Sequence, residues 1–228
     1  MTYDMNDAEP QMSGEIIPDG TFAKVTMAIR PGGVDGQSEL DQCLLKAPKD
    51  TTSDVLMLDC EFTVVEGPHA RRKFWQMFTV QGGKVDENGV SIGWKISKST
   101  FRAMIDSALG LAPDDMSDAA KAKRVLRGLA DLNGITFVAK IAVEQNPQYK
   151  DKNKLDRVVL PNEKEWQAIM RGEAVAPSPS HRAQKPAAPA QSAGKPQQQQ
   201  RPAWSQPASA AAKPSAPAQP AGPAWLNG

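Results

Sequence analysis

Cysteine and histidine are scarce in this chain of 228 residues, which contains two of each. Cys43 and Cys60 have no metal-ligand spacing, and this shortage of ligands excludes a zinc site built from cysteine and histidine. Long apolar runs are also missing, and the N-terminus has no charged segment followed by an apolar one, so we expect neither a membrane span nor a secretory leader. The composition therefore predicts a cytoplasmic protein without a metal or other cofactor.

Acidic residues are absent from residues 174–228, which consist largely of alanine, proline, glutamine and serine. This segment holds five of the 27 basic residues and none of the 26 acidic ones, so its charge is +5 and that of the preceding residues is −4. Such a composition cannot bury enough apolar surface to offset the loss of conformational entropy on folding. We predict a flexible N-terminus over residues 1–13, a folded domain over 14–173 and a disordered tail over 174–228.

Glycine-rich phosphate-binding motifs are absent, and strand-like segments do not alternate with helical ones, which excludes a doubly wound parallel sheet. The chain instead alternates apolar and polar residues with period two, which is typical of half-buried strands. This pattern predicts strands over residues 21–30, 55–65, 71–80, 135–143 and 155–160, with a short edge strand over 90–96. Capped helices are predicted after Ser97 and Ser117. The order of three strands, helices and two strands predicts a mainly β protein with a five-stranded OB-like barrel and inserted helices.

The third predicted strand places an aromatic residue among basic ones. If Phe74 and Phe78 face the core, alternation puts Lys73 and Trp75 on the exposed face. An exposed indole can stack on a nucleobase while neighbouring cations contact phosphates, at roughly 1–3 kcal/mol per stack. We therefore interpret Trp75 as a stacking group and, as phosphate contacts, Arg71, Arg72 and Lys73. The alternative is that Trp75 closes one end of the barrel core, and Trp94 is a further stacking candidate whose face the pattern does not assign.

The turn between the last two predicted strands has a similar composition. Tyr149 stands among lysines there, and in OB barrels this turn flanks the ligand groove. We interpret Tyr149 as a second stacking group. The phosphate contacts expected in this part of the chain are Lys140, Lys150, Lys152, Lys154 and Arg157. The alternative is an ordinary solvated hairpin tip, which would also be rich in lysine and asparagine.

Three stretches carry a resemblance to a known family: Pro-Asp-Gly-Thr at residues 18–21, Leu-Asp-Cys-Glu-Phe-Thr-Val-Val-Glu-Gly-Pro-His-Ala-Arg-Arg-Lys at 58–73, and Gln-Tyr-Lys-Asp-Lys-Asn-Lys at 148–154. They resemble the phage and prophage family of small single-stranded-DNA-binding proteins, which is usually found in replication and recombination clusters. The resemblance covers about residues 15–160 and implies an OB-like fold, binding to single strands and no catalysis, in a bacterial host cell. It transfers no set of binding residues, so the site residues named above rest on the physical argument.

The end of the chain departs from the general bacterial single-strand binder, which ends in an acidic tip. The tail here is basic and contains Pro-Ala-Trp twice, at residues 202–204 and 223–225. Tryptophan is unusual in a disordered segment because its large apolar surface favours burial. We hypothesise two linked docking motifs for a replication or recombination protein, with contacts from Trp204, Trp225 and Leu226. The alternative is chance recurrence in a segment rich in proline and alanine.

Two other functions stay open beside single-stranded-DNA binding. A metal-dependent exonuclease is one, because Asp59 and Glu61 share a strand face as a metal-binding pair would, although the later ligand spacings of such enzymes are missing. The other is a protein–protein adaptor of a replication or recombination complex without direct DNA contact, which the net negative charge of residues 1–173 favours. The main expectation is a DNA-binding protein that is not an enzyme and has little sequence preference.

Overall fold

The computed structural model describes residues 16–146 and 148–181, together with residue 6. In this part of the chain, one sheet contains five strands: β1 (Thr21–Arg30), β2 (Leu56–Val64), β3 (Lys73–Gln81), β4 (Thr136–Asn146) and β5 (Tyr149–Val158). The helices are α1 (Ile92–Leu109), α2 (Asp118–Lys123) and α3 (Lys164–Met170), and single 3₁₀ turns cover Glu39–Asp41 and Leu129–Leu132. The spatial order of the strands is β3-β2-β1-β4-β5, and all hydrogen-bonded neighbours are antiparallel.

The core lies on the inner face of this curled sheet, with β1 at its centre. Val25 pairs with Phe137 on β4, and Met27 pairs with Phe62 on β2. The Phe62 ring stacks on the Phe74 ring at a centroid distance of 5.0 Å and meets the Phe137 ring edge-on. All five side chains are buried, and each contributes roughly 1.5–3 kcal/mol by leaving water.

The sheet curls until β3 and β5 meet, and side chains join the two strands along this line, which we call the seam. Leu155 N donates to Gln76 Oε1 at 3.2 Å, and Lys154 Nζ donates to the Trp75 carbonyl oxygen at 3.1 Å. Helix α1 follows β3 in the chain and places Phe101 against Phe78 of the core. The barrel is therefore nearly closed, and the prediction of a mainly β, five-stranded OB-like barrel with inserted helices is confirmed for the described residues.

Three element boundaries differ from the sequence predictions. The edge strand predicted over residues 90–96 is wrong, because α1 begins at Ile92, where Ser91 Oγ accepts a hydrogen bond from Trp94 N at 3.2 Å. The second predicted helix is short, and Arg124 at its end binds Asp106 of α1 in a buried ion pair. Strand β5 begins six residues earlier than predicted, at Tyr149 rather than at Leu155.

Residues 174–181, which the composition assigned to the tail, lie against the barrel and are called the strap below. Ser178 N donates to the carbonyl oxygen of Gly20, and Ser180 N donates to Asp19 Oδ2 at 3.0 Å. Gly20 has φ +74°, and a Cβ there would collide with the Ser178 carbonyl, so glycine is required on two grounds. The strap and α3 cover the outer face of β1 and β4, where Phe22 and Val138 are buried. The predictions for the rest of the tail and for residues 1–13, apart from residue 6, lie outside the described residues.

The longest helix in the described part of the chain is α1, which has 18 residues but includes charged side chains. No described helix has the length and apolar character needed to cross a membrane.

Candidate nucleic-acid interface

Strand β3 sorts its side chains as the alternation predicts, and this places an indole on the surface. Phe74 and Phe78 point into the core, whereas Trp75 is 45% exposed on the outer face and Met77 beside it is 48% exposed. Trp75 therefore does not fill the end of the barrel, which was the alternative interpretation of the sequence. An exposed ring on a rigid strand is available for stacking because β2 and the buried neighbours fix its backbone.

A single carboxylate holds Trp75 and Lys73 in place. Glu61 lies directly opposite Trp75 in the β2–β3 register, and its Oε2 accepts a hydrogen bond from Trp75 Nε1 at 3.1 Å. Its Oε1 forms an ion pair with Lys73 Nζ at 2.7 Å. The hydrogen bond from Lys73, together with that from Trp75, holds the pKa of Glu61 below its usual range despite partial burial, so the group is ionised at neutral pH. Sequence reasoning considered Glu61 only as a metal ligand, because the cross-strand register is not readable from the sequence.

The lysine-rich hairpin lies beside the same strand. Lys154 donates to the Trp75 carbonyl, and the next residue of β5 contacts the next residue of β3, so the two strands run in the same direction along the seam. Lys150 and Lys152 are exposed further towards the hairpin tip. Tyr149 is 66% exposed, and Lys152 Nζ lies 5.9 Å from the centre of its ring. The predicted aromatic and cationic groups of β3 and β5 therefore share one side of the barrel.

Two arginines directly precede Lys73, the first residue of β3. Arg71 N donates to the Val64 carbonyl, and Val64 N donates to the Arg72 carbonyl, which closes the turn between β2 and β3. Arg71 has φ +66°, an uncommon conformation for a side chain larger than glycine, and the residue is exposed. This turn places Arg71 and Arg72 immediately before Lys73, at the start of β3.

Two other predicted phosphate contacts lie elsewhere. Lys140 points outward from β4 as expected, but it is only 6% exposed: its Nζ donates to the Pro179 carbonyl at 2.8 Å and lies 4.0 Å from Asp156 Oδ2. The strap covers this ammonium group, so the prediction that Lys140 contacts a phosphate is wrong. Arg157 binds Glu163 at the start of α3, with 2.7 Å between Nη1 and Oε1, and it is not part of the group around Trp75.

Asp59, the other carboxylate of the exonuclease alternative, has a structural partner. It is 4% exposed, and its Oδ2 lies 2.8 Å from Lys46 Nζ and 3.9 Å from Arg30 Nη1. The pair with Lys46 ties the long loop before β2 to the sheet. Asp59 and Glu61 thus share a face, as predicted, but each binds cations of neighbouring segments, and no group of three potential metal ligands occurs among the described residues.

Trp94 and the long polar loop of residues 34–52 lie at the opposite end of β3 from the hairpin. The loop folds back on itself through a bridge from Val34 to Leu45, and a bridge from Lys46 to Met57 joins it to β2. Trp94 is half-buried in α1 and packs at 6.3 Å from Phe101. It lines a cleft of about 900 Å³ between α1, the loop and residues 124–129, so its ring belongs to this cleft and not to the Trp75 surface.

The proposed docking residues of the tail, Trp204, Trp225 and Leu226, lie outside the described residues, so that hypothesis stays a prediction. The candidate interface consists of the outer face of β3, the turn before it and the β4–β5 hairpin.

Comparisons of the chain with models of protein families, with curated proteins and with solved structures found no match.

Proposed function

We propose that this protein binds single-stranded DNA without catalysis, by base stacking and phosphate electrostatics. One observation carries the proposal: the exposed Trp75 indole stands on a rigid strand, with Lys73 bound to the same carboxylate and Lys154 bound to the Trp75 carbonyl oxygen across the seam. The stacking groups are Trp75 and Tyr149, and the phosphate contacts are Arg71, Arg72, Lys73, Lys150, Lys152 and Lys154. Stacking does not depend on base identity, so little sequence preference is expected. The resemblance to the phage family supports a role in DNA replication or recombination in the cytoplasm of a bacterial host.

Single strands fit this surface better than duplex DNA does. An indole can reach the face of a base only where the base is unpaired, whereas a duplex offers its phosphates alone. Residues 1–173 carry a net charge of −4, so their basic side chains form local groups and not the broad basic surface that attracts duplex backbones. Discrimination against duplex DNA then arises from the lost stacking contacts.

The test is fluorescence anisotropy with labelled oligo-dT and with duplex of the same length. Trp75→Ala should weaken binding to the single strand roughly 5- to 150-fold, the equivalent of about 1–3 kcal/mol for one lost stack. Trp75→Phe keeps a ring at the same position and should retain most of the affinity. Thermal unfolding should be little changed in both variants, because the ring is on the surface.

Three outcomes would contradict the proposal. Equal affinity of the wild type and Trp75→Ala would remove the stacking surface, and equal affinity for single strands and duplex would reduce the protein to a general polyanion binder. If neither DNA form binds, the adaptor alternative takes precedence. In that case the search for a partner begins with Trp204, Trp225 and Leu226, which we propose as contacts for a replication or recombination protein.

A further inference from the structure

We infer that Glu61 is a built-in counter-anion of the binding surface, which a DNA phosphate replaces at Lys73 while Glu61 keeps its hold on the Trp75 ring. The inference rests on the proposed function, and it assigns to Glu61 the control of the affinity for DNA. It follows from a juxtaposition: the two donors that DNA would meet on β3 are both bound by the two oxygens of one carboxylate.

The two interactions of Glu61 have different fates when DNA arrives. Lys73 is the group that a phosphate needs, and its ammonium is already neutralised at 2.7 Å by Glu61 Oε1. The Trp75 Nε1–H lies in the plane of the indole, whereas a stacked base covers the face of the ring, so the bond to Oε2 is compatible with stacking. Phosphate and Glu61 therefore compete for Lys73 but not for Trp75.

The neighbouring charges do not relieve this competition. Arg30 on β1 also attracts the Glu61 carboxylate. Arg30 lies near a second carboxylate as well, that of Asp59, whose closer partner is Lys46. Glu61 thus remains a negative charge beside the path that we propose for the backbone. It lowers the affinity by repelling the phosphate, and it raises the affinity by fixing the ring, so the wild-type protein binds below the maximum that this surface permits.

Glu61→Gln separates the two effects, because the amide oxygen still accepts from the indole while the charge is lost. We expect affinity for oligo-dT at low salt to rise about fivefold, the size of one unit-charge interaction at a distance of a few ångströms in water. The slope of log affinity against log salt should become steeper by about 0.7, since Lys73 then neutralises a phosphate without an opposing Glu61 charge, and one more cation condensed on the DNA is released. Glu61→Ala removes the acceptor as well and should bind less tightly than Glu61→Gln.

A matched control is available just after α3. Glu173 pairs with Arg171 at 2.7 Å, the same length as the Glu61–Lys73 pair, and none of the described hydrogen bonds and ion pairs joins it to β3. Glu173→Gln changes the net charge by the same amount, so any gain of affinity in this variant measures the general electrostatic effect alone. The expected result is a gain for Glu61→Gln that clearly exceeds the gain for Glu173→Gln.

The inference is overturned if Glu61→Gln and Glu173→Gln have the same affinity and the same salt slope, or if Glu61→Ala matches Glu61→Gln. These results differ from a failure of the proposed function, in which the wild-type protein does not bind oligo-dT at all or is insensitive to Trp75→Ala. Circular dichroism of each variant shows that a changed affinity does not come from unfolding.

Discussion

At the scale of single residues, the direction of a side chain and what covers it decide its chemistry. Lys73 and Lys140 both point outward from the barrel, as strand alternation predicts. Lys73 lies on an open face with Glu61, whereas Lys140 lies beneath the strap and donates to a backbone carbonyl. The same residue type thus serves in one position as a candidate DNA contact and in the other as an internal tie between the barrel and its C-terminal segment.

The two cysteines give a prediction at this scale. Cys60 is fully buried on the inner face of β2, where burial and the neighbouring Asp59 charge raise the pKa of its thiol to about 12, and Cys43 is exposed. Because the thiolate is the reactive form, a disulfide reagent at about pH 8 should modify one thiol per native chain and two in denaturant. Cys43→Ser should abolish the native reaction, and rapid modification of Cys60 in that variant would contradict the packing described here.

The sequence pattern predicted the exposed positions of Trp75 and Lys73, but it did not predict their contact with Glu61 or the burial of Lys140. Alternation was enough to put Trp75 outside and Phe74 inside, because a strand with one buried face repeats every two residues. The Glu61 contact depends on the register between β2 and β3, and the burial of Lys140 depends on the strap. Both are long-range relations that local pattern does not encode.

At the scale of elements, the strap is the part of the fold that composition misassigned. Its residues resemble the tail in composition, yet Ser180 N donates to the Asp19 carboxylate and Ser178 N donates to the Gly20 carbonyl, and these bonds hold it on the barrel. Asp19 accepts from both Val143 N and Ser180 N, so one carboxylate joins β4 to the strap. Partial burial raises the pKa of Asp19, but these hydrogen bonds and the Lys140 charge outweigh that effect and hold the pKa below its usual value.

Asp19→Asn should therefore destabilise the protein by roughly 1–3 kcal/mol at neutral pH, since the amide can replace only one of the two carboxylate acceptors. A lowered carboxyl pKa contributes stability that is present above the unfolded-state value near 3.8 and is lost as the pH falls through the folded-state value. Urea unfolding over a pH series should show that the difference in the free energy of unfolding between variant and wild type shrinks below about pH 4. Asp114→Asn, at an exposed position, is the control, and a difference independent of pH would contradict this role of the charge.

The hairpin and α1 show why two boundaries escaped prediction. Residues 149–154 are largely exposed, so they show no apolar alternation, and backbone pairing with β4 and the bonds between Asn153 and Ile17 maintain the strand. At the start of α1, apolar residues stand at every second position, as they would in a strand: Ile92, Trp94 and Ile96. The cap from Ser91 and the packing of Trp94 on Phe101 favour the helix instead.

At the scale of the whole molecule, binding must rely on charge placement rather than on net charge. Residues 1–173 carry −4, so a phosphate chain is attracted only where cations are concentrated, as at the hairpin and the turn before β3. The slope of log affinity against log salt should consequently reflect the number of local phosphate contacts, at about 0.7 per contact for a single strand. A protein interface built on apolar anchors would show a much weaker dependence.

The double variant Lys150→Gln, Lys152→Gln should lower the slope of log affinity against log salt by about 1.4, because two phosphate contacts are removed. The measurement is a set of oligo-dT titrations between about 50 and 200 mM salt. Lys121→Gln, Lys123→Gln removes the same charge from α2 and should leave the slope nearly unchanged. Equal slopes for the two double variants would show that the hairpin does not follow the DNA backbone.

The seam has a consequence for how such a surface adapts to its ligand. Strand β3 has a full hydrogen-bonded ladder only on its β2 side, and two side-chain bonds replace the ladder on the other. Side-chain bonds can lengthen or re-form without breaking a row of backbone hydrogen bonds, so the contact between β3 and β5 can adjust while the ladder with β2 keeps β3 in place. In the DNA-binding role proposed above, the β5 hairpin can then shift relative to the fixed Trp75 ring, and one surface can accommodate purines and pyrimidines of different size.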